Sequence, residues 1–448
     1  MIPATANWIN AASQSSLKPV QLLTIYNAAG GVLMTFSREY PGGSPVSSNH
    51  WIASISGGAS SGDILSGNAS NSALSVGVLD MNKALTTLLT TTTLEGLTAT
   101  LASGFPGLAP ADYLPLGTYI IDSVKTDKSN LRYTLSLRDP GLKLQNLCYL
   151  VGDDGWPTAD GHQHTVQGSP MAILTELLTG ECGYPSSALN TAAIANYQNS
   201  LLGVVEMTFY LTQSPQGKAF LQQEIFAPLA GYGFWNYAGQ YTPYYPLPLA
   251  PVTPALSLGV HDMLSPIPTF DAGPFVGSLA SLLDYNGSNY LSAVMDDYGP
   301  AITAYGLPEL TTMQSRGLRS ADGGVLLYRL AQTAIFRRYG LKPRLLKVKC
   351  HWQNVLAELG DVVSVTHPLI PDKTTGVGLN NHWYEVTGKS IDWDAGNGAC
   401  NVSYDLLDVN WLNAPCLQIA PNGTPNWAGS STAQRAQYGY VDEGQLVY

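Results

Sequence analysis

Gly117-Thr118-Tyr119-Ile120-Ile121-Asp122-Ser123-Val124 and Leu131-Arg132-Tyr133-Thr134-Leu135-Ser136-Leu137-Arg138 stand on either side of the polar stretch Thr126-Asp127-Lys128-Ser129-Asn130. In the second segment Leu131, Tyr133, Leu135 and Leu137 alternate with Arg132, Thr134, Ser136 and Arg138, the period of two that gives a strand one buried and one wet face. The pair predicts a β-hairpin. Upstream, short apolar runs at 20–26, 32–37, 51–55, 73–79 and 94–101 are punctuated by Gly, Pro, Asn and Ser. That spacing predicts a β-barrel or sandwich over residues 17–146, preceded by an N-terminal arm at 1–16.

From about Leu147 the pattern changes. Ser169-Pro170 supplies an N-cap and a proline at the first helical position, ahead of Met171, Ile173, Leu174, Leu177 and Leu178, with Gly180 as a stop. A second helix is read over 188–202, and a third opens at Ser214-Pro215 and closes at Pro228. Tyr241-Thr242-Pro243-Tyr244-Tyr245-Pro246-Leu247-Pro248 carries too many prolines for a central strand and reads as an edge or a surface-hugging arm. Residues 147–320 are thus an α/β connector. The strongest helix follows Asp322, with Val325, Leu326, Leu330, Ala331, Ala334 and Ile335 on one face and Arg337-Arg338 at the negative end of its dipole. It opens a second β region over 321–412, with strands at 344–352, 361–366, 383–391 and 400–408. Residues 413–448, rich in Asn, Pro, Gly, Gln and Ser, read as an extended C-terminal tail.

Composition narrows the function. With 448 residues the chain has room for several cores. Only 12% of residues are charged, about half the share of an average globular chain, while aromatics occur throughout, which excludes a disordered polymer. Lys and Arg number 21 against 32 Asp and Glu, a net charge of −11, so no global field attracts phosphate. Cys148, Cys182, Cys350, Cys400 and Cys416 are odd in number and lack C-x-x-C spacing, which argues for free, mostly buried thiols in a reducing cytoplasm. No signal-peptide pattern and no apolar run of membrane-spanning length is present, so no stable membrane insertion is expected.

Chemistry is sparse. His162-Gln163-His164 lies near Asp153, Asp154 and Asp160, but no third His or Cys at ligand spacing completes a metal set, and a polar connection is the better account. Asp296-Asp297 and Asp392-Trp393-Asp394 offer paired carboxylates, yet neighbours in sequence seldom straddle a glycosidic bond, and Gly396-Asn397-Gly398 makes the latter a hairpin. Gly58-Ala59-Ser60-Ser61-Gly62 spells a nucleophile elbow, but no helical pattern follows and it reads as a flexible loop. The same stretch lacks the Lys of a phosphate-binding loop. Gly360-Asp361 reads as a structural turn in which Gly permits positive φ and Asp bonds its own backbone. His367 before Pro368 has no visible catalytic partner. No catalytic, cofactor-binding or metal residue is therefore assigned, and no enzymatic activity is expected.

Four stretches together resemble the hub proteins of bacteriophage tail tips and baseplates. They are Leu114-Pro115-Leu116-Gly117-Thr118-Tyr119 with its hairpin, Val166-Gln167-Gly168-Ser169-Pro170-Met171-Ala172-Ile173-Leu174, Gly217-Lys218-Ala219-Phe220-Leu221-Gln222-Gln223-Glu224-Ile225, and Glu358-Leu359-Gly360-Asp361-Val362-Val363-Ser364-Val365-Thr366-His367-Pro368. The stretch 427–440 is similar to tails of the same proteins. The resemblance implies a mainly β, α+β chain with two tail-tube-like β-barrel domains, a mixed α/β connector between them and an extended C-terminal arm. It implies a homotrimer forming a ring that continues or closes the tail lumen, between the tail tube above and a central tip or fibre below, in contact with the tape-measure protein. Some relatives hold a cysteine-ligated iron–sulfur cluster. The scattered cysteines here do not match that pattern, and no cofactor is expected.

On this reading the protein is made in the host cytoplasm and resides at the virion tail tip, and DNA passes its lumen without specific binding, past a wall of Asp, Glu, Ser, Thr and Asn. Tyr244, Tyr245, Trp411 and Trp427 are the aromatic candidates for subunit contacts. Two other classes compete: a host-receptor-binding tail adhesin, and a tail enzyme that degrades cell wall or glycan.

Overall fold

A computed structural model of the chain describes residues 1–14, 18–38, 51–71, 73–127, 131–150, 164–246, 252–269, 274–306, 310–372, 376, 378–393 and 400–410. It also describes short stretches between 418 and 447.

The predicted hairpin is one strand pair of a closed barrel. Its strands are β1 (Val20–Tyr26), β2 (Val32–Ser37), β3 (Trp51–Gly57), then, after a small hairpin of β4 (Ser60–Asp63) and β5 (Asn68–Asn71), β6 (Leu74–Leu79), β7 (Thr98–Gly104), β8 (Leu114–Asp127) and β9 (Arg132–Arg138). The ring order is β1-β2-β3-β6-β9-β8-β7, and β1 pairs with β7 to close it. The alternation read from sequence is the cause. Tyr133, Leu135 and Leu137 face inward opposite Val78, Val76 and Leu74, while Ser75, Thr134, Ser136 and Arg132 face out. Leu131 falls outside the strand with φ of 49°, and residues 128–130 of the turn lie outside the described residues. One joint departs from the antiparallel rule: β2 meets β3 in parallel through Ser37 and Trp51.

The residues before the barrel are not a free arm. Thr5 caps the helix Ala6–Ala12, its Oγ accepting from the Trp8 N–H at 3.1 Å, and Trp8 is buried with its indole N–H donating to the Ser103 carbonyl. Ile2 is buried as well, its N–H bonded to the Leu356 carbonyl of the second β unit.

In the connector, β10 (His164–Gly168) pairs with β11 (Met207–Leu211). Ser169 caps the helix Pro170–Glu176 as its sequence dictates, but Gly180 does not stop it; the helix widens into a π turn, Leu177–Glu181. The second helix is two short ones, Thr191–Gln198 capped by Asn190 and Leu201–Val204. The third begins at Gly217 rather than at Ser214-Pro215, because Pro215 and Gln216 are held by the chain around Leu147 and Cys148. β12 (Tyr232–Trp235) and β13 (Tyr241–Tyr244) form a two-stranded sheet. Tyr241 and Tyr245 are buried, so this proline-rich stretch is an inner hairpin, not a surface arm; its residues 247–248 lie outside the described residues.

The second β unit reaches back into the expected connector. β14 (Leu256–Leu258) and β15 (Met263–Thr269) belong to its sheet. β16 (Ser278–Tyr285), β17 (Tyr290–Asp297) and β18 (Leu310–Gln314) form a separate three-stranded sheet under the long helix Gly324–Tyr339. β19 (Leu345–His351), β20 (Val362–Pro371), β21 (Gly378–Asp392) and β22 (Asn401–Asp408) complete the second unit in the order β14-β20-β21-β22-β19-β15. Its two end strands are consecutive in the chain. The turn between them is tight, Gly259 N–H donating to the Asp262 carboxylate at 2.8 Å, so the two ends of the sheet are joined by a turn instead of a ladder.

The long helix forms where its apolar spacing predicts, with one correction. Gly323, at φ 87°, is its N-cap, and the Asp322 carboxylate instead accepts from the Thr208 hydroxyl. Arg337 and Arg338 lie in its last turn, as read, and Arg338 is buried there, 4% exposed and bonded to Glu385.

Candidate functional site

The two β units meet at the sequence that spelled a nucleophile elbow. Gly58-Ala59-Ser60-Ser61-Gly62 is a two-residue link, Gly58-Ala59, followed by strand rather than a loop throughout. Ser60–Asp63 forms β4, which leaves the barrel directly after β3, folds with β5, and pairs with β21 of the second unit through Ser61 with Gly388 and Ser60 with Lys389. Glycine is needed here for space and for backbone. Gly57 has φ of 87° and an added Cβ would sit 2.1 Å from the Ala73 carbonyl, while a Cβ on Gly62 would meet the Tyr232 ring at 2.5 Å. The Trp393 indole N–H donates to the Gly57 carbonyl at 2.9 Å, and Arg38 reaches the Trp393 carbonyl at the same distance. One buried apolar cluster runs across the joint, with Leu23, Phe36, Val76 and Leu135 from the barrel and Val348, Val363, Val386 and Tyr404 from the second unit.

A cleft of about 90 Å³ lies in this joint, lined by Ser60, Tyr119, Trp235, Glu358, Lys389 and Trp393 among others. Burial drives the Lys389 ammonium down to about 8, with Glu358 and Asp361 working the other way. Burial also raises the Glu358 carboxyl, which Lys389 partly offsets. Each has structural partners. Lys389 donates to the carbonyls of Val355 at 2.6 Å and Ala357 at 2.8 Å; Glu358 accepts from the Tyr237 N–H; Asp361 accepts from the Glu358 N–H, closing the turn that Gly360 opens at φ 79°. The Met1 ammonium lies 2.7 Å from Asp361. Among the described residues no hydrogen bond joins the Ser60 hydroxyl to Lys389, and no histidine lines the cleft. Its polar groups hold backbone together.

The other residues weighed from sequence are dispersed. Asp296 and Asp297, as neighbours on β17, point to opposite faces: Asp296 pairs with Arg329 and accepts from the Tyr328 hydroxyl, and Asp297 accepts from Ser278. Asp392 bonds Lys349 at 2.9 Å; Asp394 and Gly396-Asn397-Gly398 lie outside the described residues. His367 is buried and its Nδ1 accepts from the Leu369 N–H. His162, Gln163, Asp153, Asp154 and Asp160 lie outside the described residues, and among those described no three His, Cys, Asp or Glu gather to hold a metal. Cys148, Cys182 and Cys350 are free thiols, and Cys400 is buried, its Sγ accepting from the Gln21 amide; Cys416 is not described. Tyr245 is a core residue, 1% exposed, and Tyr244 stacks on Tyr232 at 4.9 Å, so neither is free to anchor a neighbouring subunit; Trp411 and Trp427 lie outside the described residues.

Sequence reasoning missed the buried pair Arg338 and Glu385, which pins the long helix to the outer face of β21. Burial works against the guanidinium charge and Glu385 more than offsets it, so the Arg338 pKa is raised.

A tail protein from Neisseria meningitidis matches over 88% of this chain and 98% of its own, at 12% identity and a TM-score of 0.49. Tail proteins are among the solved structures this chain is similar to. A 43 kDa tail protein of prophage MuSo2 from Shewanella oneidensis covers 86% of this chain and 98% of its own at 10% identity and a TM-score of 0.44. Prophage tail protein gp18 from Listeria monocytogenes covers 87% and 94% at 7% identity and a TM-score of 0.46. No family model matches the sequence, and no curated protein does.

Proposed function

We propose that the chain is a structural hub of a bacteriophage tail tip or baseplate. Three copies form a ring that continues the tail lumen, receives the tail tube and the tape-measure protein on one side, and carries the central tip or fibre on the other. The observation that carries this reading is the welded pair of β units. A closed barrel and a second sheet share one core and are stitched by β4, so each copy supplies two rigid wall segments, and three copies supply a pseudo-sixfold wall. An insertion of helices and small sheets between them offers contacts to the tip. The work is mechanical, and no residue is assigned to catalysis. Around the barrel the outward side chains of β6 and β9 include Ser75, Thr134 and Ser136 with Arg132 and Arg138, the latter paired with Asp122; with a net charge of −11 the chain as a whole does not hold phosphate, and DNA passes the wall without specific binding. Among the described residues no helix is long and apolar enough to cross a membrane.

Gold-labelled antibody against the chain, applied to intact virions, is expected at the distal end of the tail, with synthesis in the host cytoplasm. Labelling along the tube, at the head, or only on non-virion material overturns the assignment.

A further inference from the structure

The cleft in the joint is walled by aromatic rings. Five line it: Tyr119 from β8, Phe234 and Trp235 from β12, Tyr237 from the turn that follows, and Trp393 just past β21. Neighbours fix their positions. Trp235 packs on Tyr184 with ring centroids 5.2 Å apart and on Tyr241 at 5.3 Å, while Trp393 packs on Trp352 at 6.0 Å and donates its indole N–H to Gly57. The turn carrying Tyr237 is closed by the Asn236 side-chain carbonyl, which accepts from the N–H groups of Ala238 and Gln240, and the Tyr237 carbonyl accepts from the Thr118 hydroxyl. Rings held this way are preorganised. Two glycines make room for them: a Cβ on Gly117 would lie 2.6 Å from the Tyr119 hydroxyl, and one on Gly141 would lie 2.8 Å from the Trp235 Nε1 and 2.9 Å from an Asp139 carboxylate oxygen.

The charge in the cleft is uneven. Its lining carries two carboxylates, Asp139 and Glu358, against the single ammonium of Lys389, which is turned to the carbonyls of Val355 and Ala357. Asp139 uses one oxygen to accept from the Gly141 N–H at 2.9 Å, and among the described residues no Lys, Arg or His pairs with it. Burial, with Asp139 adding to it, pushes the Tyr119 phenol up to about 12, so this carboxylate and this ring share one space.

We propose that the cleft binds a trimethylated ammonium headgroup, the charged end of choline and its phosphate esters, with the rings around the methyl groups and Asp139 as counter-ion. The faces of aromatic rings attract a cation, Trp most strongly, and more so where water is excluded. The chemistry of the lining selects methyl groups. A primary ammonium or a guanidinium brings N–H groups that each want an acceptor, and a metal ion wants several oxygens, whereas the cleft offers one carboxylate oxygen not already bonded, set among rings. Size agrees. The cleft of about 90 Å³ exceeds several-fold the roughly 10–15 Å³ that one water takes, and it falls short of the roughly 300 Å³ at which sites for larger ligands begin, so a headgroup enters and the rest of the ligand stays outside. The inference does not depend on the hub reading.

The test uses the full chain. Titration with choline, followed by tryptophan emission, is expected to saturate, and the uncharged carbon isostere of choline, 3,3-dimethylbutan-1-ol, is expected to bind roughly tenfold more weakly or worse. Asp139→Asn keeps the oxygen that Gly141 uses and should cut choline affinity roughly tenfold while leaving that of the alcohol unchanged. Saturation transfer from aromatic protons of the unaltered chain to the choline methyl protons checks the same contact without any substitution. Two further arms separate the sources of the headgroup. Saturable binding of choline phosphate shows that a soluble or polymer-borne ester is accepted; co-sedimentation with phosphatidylcholine vesicles that Asp139→Asn abolishes shows that a lipid surface is accepted, and either result supports the proposal. No saturable choline binding to the folded chain, equal affinity for the isostere, or undiminished binding by folded Asp139→Asn overturns it. None of these outcomes moves the hub reading, which the labelling of virions tests.

Discussion

The two β units solve the same problem in different ways. The first, β1–β9 without the β4–β5 hairpin, closes by its own ladder and fills its interior with Leu, Ile, Val and Phe; Val20 to Ile25 of β1 pair one by one with β7 across the seam. The second ends on β14 and β15, which no ladder joins among the described residues, and it draws support from elsewhere: the turn at Gly259–Asp262, the borrowed strand β4, and the helix pinned by Arg338 and Glu385. A self-closed wall can be read from local alternation. A wall that depends on distant segments cannot, and its stability depends on charges and contacts from outside the sheet.

That difference ranks the expected effects of mutation. The largest is at the pin. Arg338→Met leaves the Glu385 carboxylate buried without its partner and should destabilise the second unit by about 3–5 kcal/mol in urea unfolding. Arg338→Met with Glu385→Leu should recover most of the loss, because it is the unpaired charge that costs, and the first barrel's near-ultraviolet signal should stay put in both. In the barrel, Leu135→Ala should cost about 2–4 kcal/mol as a plain cavity, with no second-site charge change able to repair it.

Next comes the stitch. Gly62→Ala drives a methyl into the Tyr232 ring and should cost about 1–3 kcal/mol. Its signature is local: hydrogen exchange at the amides of residues 60–62 and 388–389 should speed up, while those of β6 and β9 stay protected. Equal acceleration in all four segments would mean that the two units do not differ in how they are held.

The smallest effect is a pH dependence confined to the joint. Burial lowers Lys389 to about 8 in the folded chain from 10.5 when free, so between those values this group binds more protons in the unfolded chain and its own contribution to stability rises with pH. Buried Cys148, Cys182 and Cys350, whose thiols burial raises above 9, pull the other way in the same window, so the Lys389 contribution is read as a difference: between pH 8 and 9.5 the unaltered chain should gain about 1 kcal/mol relative to Lys389→Met. Above pH 10 the tyrosines add to the thiols. Buried Tyr232, Tyr244, Tyr245 and Tyr404, whose phenols burial raises well above 10, must ionise to unfold, so alkali destabilises the fold.

What sequence made legible follows the same division. The hairpin at 117–138 stands where alternation puts it, and the strands at 20–26 and 32–37 stand where short apolar runs between turn residues put them. The long helix is legible from its apolar face, yet the fate of Arg338 is not, since an arginine near a helix end in sequence looks the same whether it meets water or Glu385. Residues 58–62 gave no periodic signal: four of the five are Gly or Ser, and their partner is more than 300 residues away. β15 was hidden by its prolines, which sequence rules assign to edges, as it proves to be. The residues at the joint were weighed for catalysis because Gly-rich turns and a serine share one vocabulary in enzymes and in tight strand crossings. Their partners, visible only in three dimensions, are backbone carbonyls and a tyrosine ring.

The claim that two welded walls per copy and three copies enclose a channel is tested most directly by light-scattering mass on the purified chain with negative-stain images of the same sample. The account predicts a particle of three times the chain mass and end-on views with a central pore and threefold symmetry. A compact particle of single-chain mass at every concentration, with no ring in any view, contradicts it.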